Sequence, residues 1–286
     1  MVPVQVGERA WFVEGESAMG SSANRNFISN AGFVVTDTSV VVIDALGSPP
    51  LAERLVDVIR GITDKPISHV ILTHYHADHV YGLQVFDALG ATSIAHREAR
   101  AYLNSETARQ RLEASRKDLW PFVDENTRLV DATRYIDGPT TLEIGGTHFV
   151  LEPVGPSHTP EDLAVWVPES RVLFAGDLVF RGRIPFVGNA DSRHWIESID
   201  RLLRFDVDTI VPGHGASSHE PRADLTLTRD YLQYLRDAMR EAARNLEPFD
   251  DAYRATDWSR FSHLPLFDAA NRMNAYNTFL LMEQER

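Results

Sequence analysis

The chain of 286 residues contains no cysteine, which removes disulfides, thiolate nucleophiles and cysteine-ligated zinc or iron–sulfur sites together. Positive charge is scarce: 28 basic residues face 41 acidic ones, for a net charge of −13, and only Lys65 and Lys117 are lysines. A field of that sign repels phosphate backbones, so nucleic acid is excluded as a general partner. No apolar run approaches the roughly 20 residues that a membrane span requires. The opening Met1-Val2-Pro3-Val4-Gln5 has neither a basic region nor an apolar one, so no signal peptide is expected. The expected compartment is cytoplasmic, or periplasmic if a leader was trimmed. Low-complexity stretches, linkers and short repeats are also missing. What is there, 43% hydrophobic and 24% charged residues, falls in the globular range, and this length can bury a large core without staples.

Periodicity gives a layered α/β order. Residues 30–44 read as two β-branched strands around a polar turn at Thr36–Ser39, followed by a helix from Pro50 to Gly61. Ser68–Thr73 is a short apolar strand of the kind covered on both faces. A helix over Val80–Ala88 and a strand over Thr92–Ala95 follow, and this alternation indicates α/β layers. Residues 96–140 read as a helical insertion, and Trp120, Pro121 and Phe122 are placed there to line a pocket. Strands then return at 141–144, 147–153, 163–167, 171–175 and 209–212, with a helix over 193–203. The helices from Leu225 onward, in a C-terminal extension at 220–286, are expected to pack on the sheets or to form a homodimer contact. The two halves repeat one scheme, so the whole chain reads as one domain.

The chemistry concentrates in Thr73-His74-Tyr75-His76-Ala77-Asp78-His79, directly after an apolar strand. Neutral imidazole and carboxylate suit zinc, and also iron or manganese. In extended chain His74 and His76 lie on one side and can reach one ion. Asp78 and His79 are better placed for a second. Three more residues are read on loops after apolar strands: His158 in Gly-Pro-Ser-His-Thr-Pro, Asp177 in Phe-Ala-Gly-Asp, and His214 in Val-Pro-Gly-His-Gly. Each alone is an ordinary loop histidine or helix cap. Together they supply the seven side chains that two ions with one shared ligand need. The other histidines, such as His69 in its strand, read as structural or solvated.

In the order Asp44, His-x-His-x-Asp-His, His158, Asp177 and His214, the sequence resembles the metallo-β-lactamase superfamily over about residues 10–215. That resemblance implies an αββα sandwich with a two-metal site, holding two zinc ions per chain or else iron or manganese. It implies His74, His76 and His158 on the first metal and Asp78, His79 and His214 on the second. Asp177 would bridge, and Asp44 would orient the ligands from behind. The stretch from Ser157 to Asp177 and the Gly188-Asn189-Ala190-Asp191 segment are similar to true β-lactamases, which gives Asn189 an oxyanion role. Two departures stand out. Asp177 occupies the place of their second-site cysteine, and Phe180 the place of the lysine that grips the substrate carboxylate, with Arg181 and Arg183 nearby. The 96–140 stretch is similar to the insertion of sulfur-oxidation-linked and quinoprotein-linked members.

The resulting expectation is a dinuclear zinc hydrolase of a small carbonyl compound: a lactone, ester, thioester or β-lactam. A metal-bound hydroxide would attack while Asp78 orients the water and moves its proton. Two alternatives share the motifs. One is a mononuclear iron enzyme like the persulfide dioxygenases. The other is a metal-binding accessory protein of a periplasmic redox pathway.

Overall fold

The computed structural model describes residues 1–188 and 190–285. Seven strands form the first sheet in chain order: β1 (Pro3–Gly7), β2 (Ala10–Val13), β3 (Ala31–Val35), β4 (Val40–Ile43), β5 (Ile67–Ile71), β6 (Thr92–His96) and β7 (Arg134–Ile136). Pairing is antiparallel from β1 to β4 and parallel from β4 to β7. The second sheet has the order β12-β11-β10-β9-β8, from β8 (Thr140–Ile144), β9 (Thr147–Pro153), β10 (Leu163–Val167), β11 (Val172–Phe180) and β12 (Thr209–His214). It too is antiparallel except at one end, where β11 and β12 run parallel.

Alternation along the strands builds the layers. On β4, Val41 and Ile43 enter the core between the sheets, while Val40 and Val42 enter the core under the helices. On β11, Val172 and Phe174 face inward, and Leu173, Ala175 and Val179 face the other helical layer. A strand with apolar residues on both faces can sit only between two covering layers. The first sheet is covered by α1 (Pro49–Arg60), α2 (Ala77–Val80), α3 (Leu83–Ala88), α4 (Ala99–Leu103) and α5 (Glu106–Asp118). The second is covered by α6 (Ser192–Leu202), α7 (Pro221–Asn245), α8 (Phe249–Ala255) and α9 (Phe267–Gln284). This is the αββα sandwich that the sequence implied.

Three readings change. The 96–140 stretch is helical only through Asp118, and Arg134–Ile136 adds a seventh strand to the first sheet. The helix expected at Val80–Ala88 is two short ones, α2 ending at Val80 and α3 starting at Leu83, with Gly82 between them packed too closely on the Ala45 carbonyl and Ala52 to carry a side chain. β11 extends five residues past Ala175, since β12 pairs alongside it as far as Phe180. Asp177 therefore lies within a strand and His214 ends one; neither is on a loop.

Phe149 is fully buried between the sheets. Phe149→Ala should cost about 3–5 kcal/mol through lost transfer energy and an unfilled cavity. Guanidinium unfolding of the two proteins checks this; a loss under about 1 kcal/mol would mean that the sheets close over the gap.

Candidate metal centre

All the strand ends that carry candidate ligands lie at one edge of the sandwich, and hydrogen bonds between the sheets hold that edge. The Leu163 N–H donates to the Thr73 carbonyl at 2.8 Å. Asn30, buried at the start of β3, donates from Nδ2 to the Pro212 and Gly215 carbonyls at 2.7 and 2.8 Å and accepts from the Gly15 N–H at 3.1 Å. It thereby grips both sides of the turn bearing His214. Sequence reasoning missed Asn30; a lone polar residue directly before an apolar strand was the only signal. Gly176 has φ +53°, and a Cβ there would meet Thr73 at 2.8 Å, so the Ala-Gly-Asp sequence is what lets the strand pass the His74 loop.

One carboxylate orients two histidines. Asp44 at the end of β4, itself with φ +63°, accepts from the Thr73 N–H through Oδ1 at 2.8 Å. Its Oδ2 accepts from the Thr73 hydroxyl at 2.8 Å and from His79 Nδ1 at 2.9 Å. With its proton given to Asp44, the Thr73 hydroxyl can only accept from His74 Nδ1, 3.0 Å away. Both imidazoles thus carry the proton on Nδ1 and present an Nε2 lone pair. His214 is set the same way, donating from Nδ1 to the Ile28 carbonyl at 2.6 Å.

The presented atoms converge. Asp177 Oδ2 lies 3.3 Å from His158 Nε2, 3.4 Å from His214 Nε2 and 3.8 Å from His74 Nε2, while its Oδ1 lies 3.2 Å from His79 Nε2. His158 Nε2 and His76 Nδ1 face each other at 3.0 Å. Asp78 Oδ2 is 3.3 Å from His214 Nε2 and 3.7 Å from His79 Nε2. Two donor groups result, one of His74, His76, His158 and Asp177, the other of Asp78, His79 and His214. Asn189, the expected oxyanion donor, lies outside the described residues.

The electrostatics are those of a cation site. Burial, and then the His79 imidazole, hold His74 well below its ordinary value; burial and His158 push His76 down to about 3. Both therefore stay neutral and able to ligate. Burial alone would neutralise Asp177 and Asp78, but protonated His214 and His79, themselves raised by these carboxylates, outweigh it and hold both low; a cation held by the neutral imidazoles would act in the same direction. His74 Nε2, His79 Nε2 and Asp177 Oδ1 are buried without any hydrogen-bond partner. Buried orphans of this kind are costly, and three acceptors pointed together fit a metal cation. Imidazole and carboxylate donors suit zinc, iron or manganese.

Comparison with known proteins agrees with this geometry. The family model of the metallo-β-lactamase superfamily matches residues 24–214. The chain belongs to this superfamily. It is similar to a type 2 metallo-β-lactamase of Bacillus sp. (strain 170), with 27% identity over 192 residues, 65% of this chain and 66% of that one. It is similar to a linear primary-alkylsulfatase of Pseudomonas sp. (strain ATCC 19151), with 24% identity over 240 residues, 69% of this chain but only 44% of the relative. Among solved structures, a stereoselective inverting sec-alkylsulfatase from Pseudomonas sp. shares the fold, with TM-score 0.77 and 17% identity over 98% of this chain and 50% of that one. The names of these relatives are those of hydrolases. Among the described residues no helix is long and apolar enough to cross a membrane.

The two departures from β-lactamases acquire physical content. Phe180 is buried and stacks flat on His214, centroids 5.0 Å apart and planes 6° apart; it supports that imidazole and faces no solvent. Arg181 is paired with Asp224 at 3.1 Å. Arg183 is buried, its Nη1 3.3 Å from Nδ1 of His214, the nitrogen that faces Ile28 and not Asp177. Of the aromatics expected near a pocket, Trp120 is exposed and Phe122 lies under the Arg25 guanidinium.

Because Asp44 sets the tautomers of His74 and His79, Asp44→Asn should weaken metal affinity about 10- to 100-fold, the usual effect of removing an orienting carboxylate. Competition with a chromogenic chelator measures it. Unchanged affinity would show that the two imidazoles orient themselves.

Proposed function

We propose that this chain is a dinuclear zinc hydrolase acting on a carbonyl substrate: a lactone, ester, thioester or β-lactam. The observation that carries the reading is the Asp177 carboxylate, whose two oxygens reach histidines of both donor groups. His74, His76 and His158 would hold one ion, Asp78, His79 and His214 the other, and Asp177 would be common to both. When bound, such ions supply Lewis acidity at the scissile carbonyl and bring the pKa of a water near 7.

The chain's own residues do the rest. Asp78, kept ionised, accepts a hydrogen bond from the incoming water and fixes its direction. Phe180 and the Ile28 carbonyl hold His214 in place, and Asp44 with Thr73 does the same for His74 and His79. The single-iron dioxygenase reading needs only one of the donor groups and leaves the convergence of Asp78, His79 and His214 without a task. Sulfate-ester hydrolysis is a second reading, favoured by the alkylsulfatase relative, whose aligned segment of 240 residues exceeds that of the β-lactamase.

Zinc-loaded protein should bind about two ions per chain, lose activity to a chelator and regain it with added zinc. His79→Ala and His158→Ala should each release about one ion and abolish most turnover. Assay against a neutral lactone, a thioester, an alkyl sulfate and nitrocefin, with metal analysis, decides between the readings. One iron per chain with oxygen uptake would overturn the hydrolase reading, and turnover of the alkyl sulfate alone would move the substrate to the sulfate esters.

Penicillins should be poor substrates compared with a neutral lactone. A charge-assisted bond to a carboxylate is worth about 1.5–3 kcal/mol, roughly ten- to a hundredfold in affinity. Phe180 offers none, Arg181 is paired with Asp224, and Arg183 is buried over the Phe180 ring. Steady-state kinetics check this, and a low-micromolar KM for penicillins would show that another cation reaches the cleft.

A further inference from the structure

Helix α9 buries an unusual face. Asn271, Asn274 and Thr278 lie fully shielded along it, where α7 buries Leu225, Leu232, Leu235 and Met239. A buried amide is costly unless bonded, so the destination of its bonds shows what the helix holds. Asn274 Oδ1 accepts from the Val187 N–H at 2.9 Å. Its Nδ2 donates to the Pro185 carbonyl at 2.7 Å and to the Tyr231 hydroxyl at 2.9 Å. One turn on, Asn277 Nδ2 donates to the Gly188 carbonyl at 2.6 Å. Just before the helix, the Pro265 carbonyl accepts from the Ile184 N–H at 3.0 Å. Four of these five bonds reach one stretch of main chain, residues 184–188. Asn271 completes the arrangement by accepting from the Tyr231 hydroxyl at 2.9 Å, which turns that hydroxyl's lone pair toward Asn274.

The held stretch lies in the connection between β11 and α6, and both ends of that connection are tied to metal-centre segments. At its start the Arg181 N–H donates to the carbonyl of His214 itself at 2.9 Å. At its end the Asp191 N–H donates to the carbonyl of Ser157, next to His158, at 3.0 Å. The connection thus runs from one donor group to the other across the site, and its middle is held from α9. The superfamily match ends at residue 214, so the holding helix lies outside the matched segment.

We propose that α9 is a working part of the substrate site, with Asn274 as the positioning residue that sets residues 184–188 as a wall of the cleft between His158 and His214. The proposal rests on the hydrolase reading for its substrate, but the positioning of the loop does not. Removing the Asn274 amide leaves the Val187 N–H and the Pro185 carbonyl without partners, and the loop shifts to find others. The metal ligands keep their own supports in Asp44, Thr73, Asn30 and the Ile28 carbonyl. A loss confined to ground-state and transition-state binding alike raises KM with kcat unchanged.

The test compares zinc-loaded Asn274→Ala, Asn277→Ala and Phe279→Leu with the parent. Phe279 packs on Phe249, centroids 5.8 Å apart, so Phe279→Leu loosens the helix without removing a bond to the loop. Asn274→Ala should speed hydrogen exchange of the peptide covering 184–188 about tenfold, and Asn277→Ala less, with zinc content and exchange at 73–82 unchanged. KM for whichever of the four probe substrates is turned over should rise about three- to tenfold in Asn274→Ala, at constant kcat. Asn274→Asp, which keeps the acceptor for the Val187 N–H, should fall between. Phe279→Leu should lower Tm and leave loop exchange and KM alone. If Asn274→Ala behaves like Phe279→Leu, or sheds zinc, α9 is packing only and the proposal fails. If none of the four probes is turned over, the hydrolase reading fails, and the exchange and zinc measurements still decide this one.

Discussion

The Asp177 carboxylate is 4% exposed and is surrounded by the imidazoles of His74, His79, His158 and His214. A charge so deeply buried is tolerable only with compensating charge and hydrogen bonds on every side. That constraint organises the fold. The compensating groups come from the loop after β5, the start of α2, the loop after β9 and the end of β12, so both sheets must end at the same edge. Gly213 follows from the same demand, since the Asp177 Oδ1 already occupies the place of a Cβ there.

Behind the ligands stands a second tier of hydrogen bonds, and it joins the sheets more than it joins neighbours in sequence. Asp44 links β4 to Thr73 and His79; Asn30 links β3 to the β12 turn; the Thr73 carbonyl receives the Leu163 N–H of β10. Each bond is modest alone, roughly 0.5–1.5 kcal/mol, or more where a charge takes part. Their larger effect is to leave each imidazole one tautomer and one direction, so that affinity is not spent on ordering the ligands.

The helices that follow the superfamily segment extend this logic. α7 is joined to the second sheet through leucines and Met239 in the ordinary amphipathic way. α9 adds amides to its apolar packing, because the segment it meets is main chain whose N–H and C=O groups have no partner strand to bond. The main chain at 184–188, between the two donor groups, is thereby held from a helix that lies beyond the superfamily segment.

The layer order and the set of histidines and aspartates that gather at one edge were legible in the sequence because both follow from local pattern. Val40–Ile43 and Ile67–Ile71 are apolar enough to require cover on both faces, and His-x-His-x-Asp-His has no comparable structural use. The sequence could not place Asp177 and His214 within β11 and β12, because strand length there depends on the parallel partner alongside and not on the residues themselves. Nor could it find Asn30, Thr73 or Asn274, whose hydrogen bonds reach residues far away in the chain. Local composition determined which side chains this protein could offer to a metal. The meeting of two sheet edges decided which of them converge, which tautomer each presents and which helix holds the loop between them, because those are long-range contacts that no short window of sequence contains.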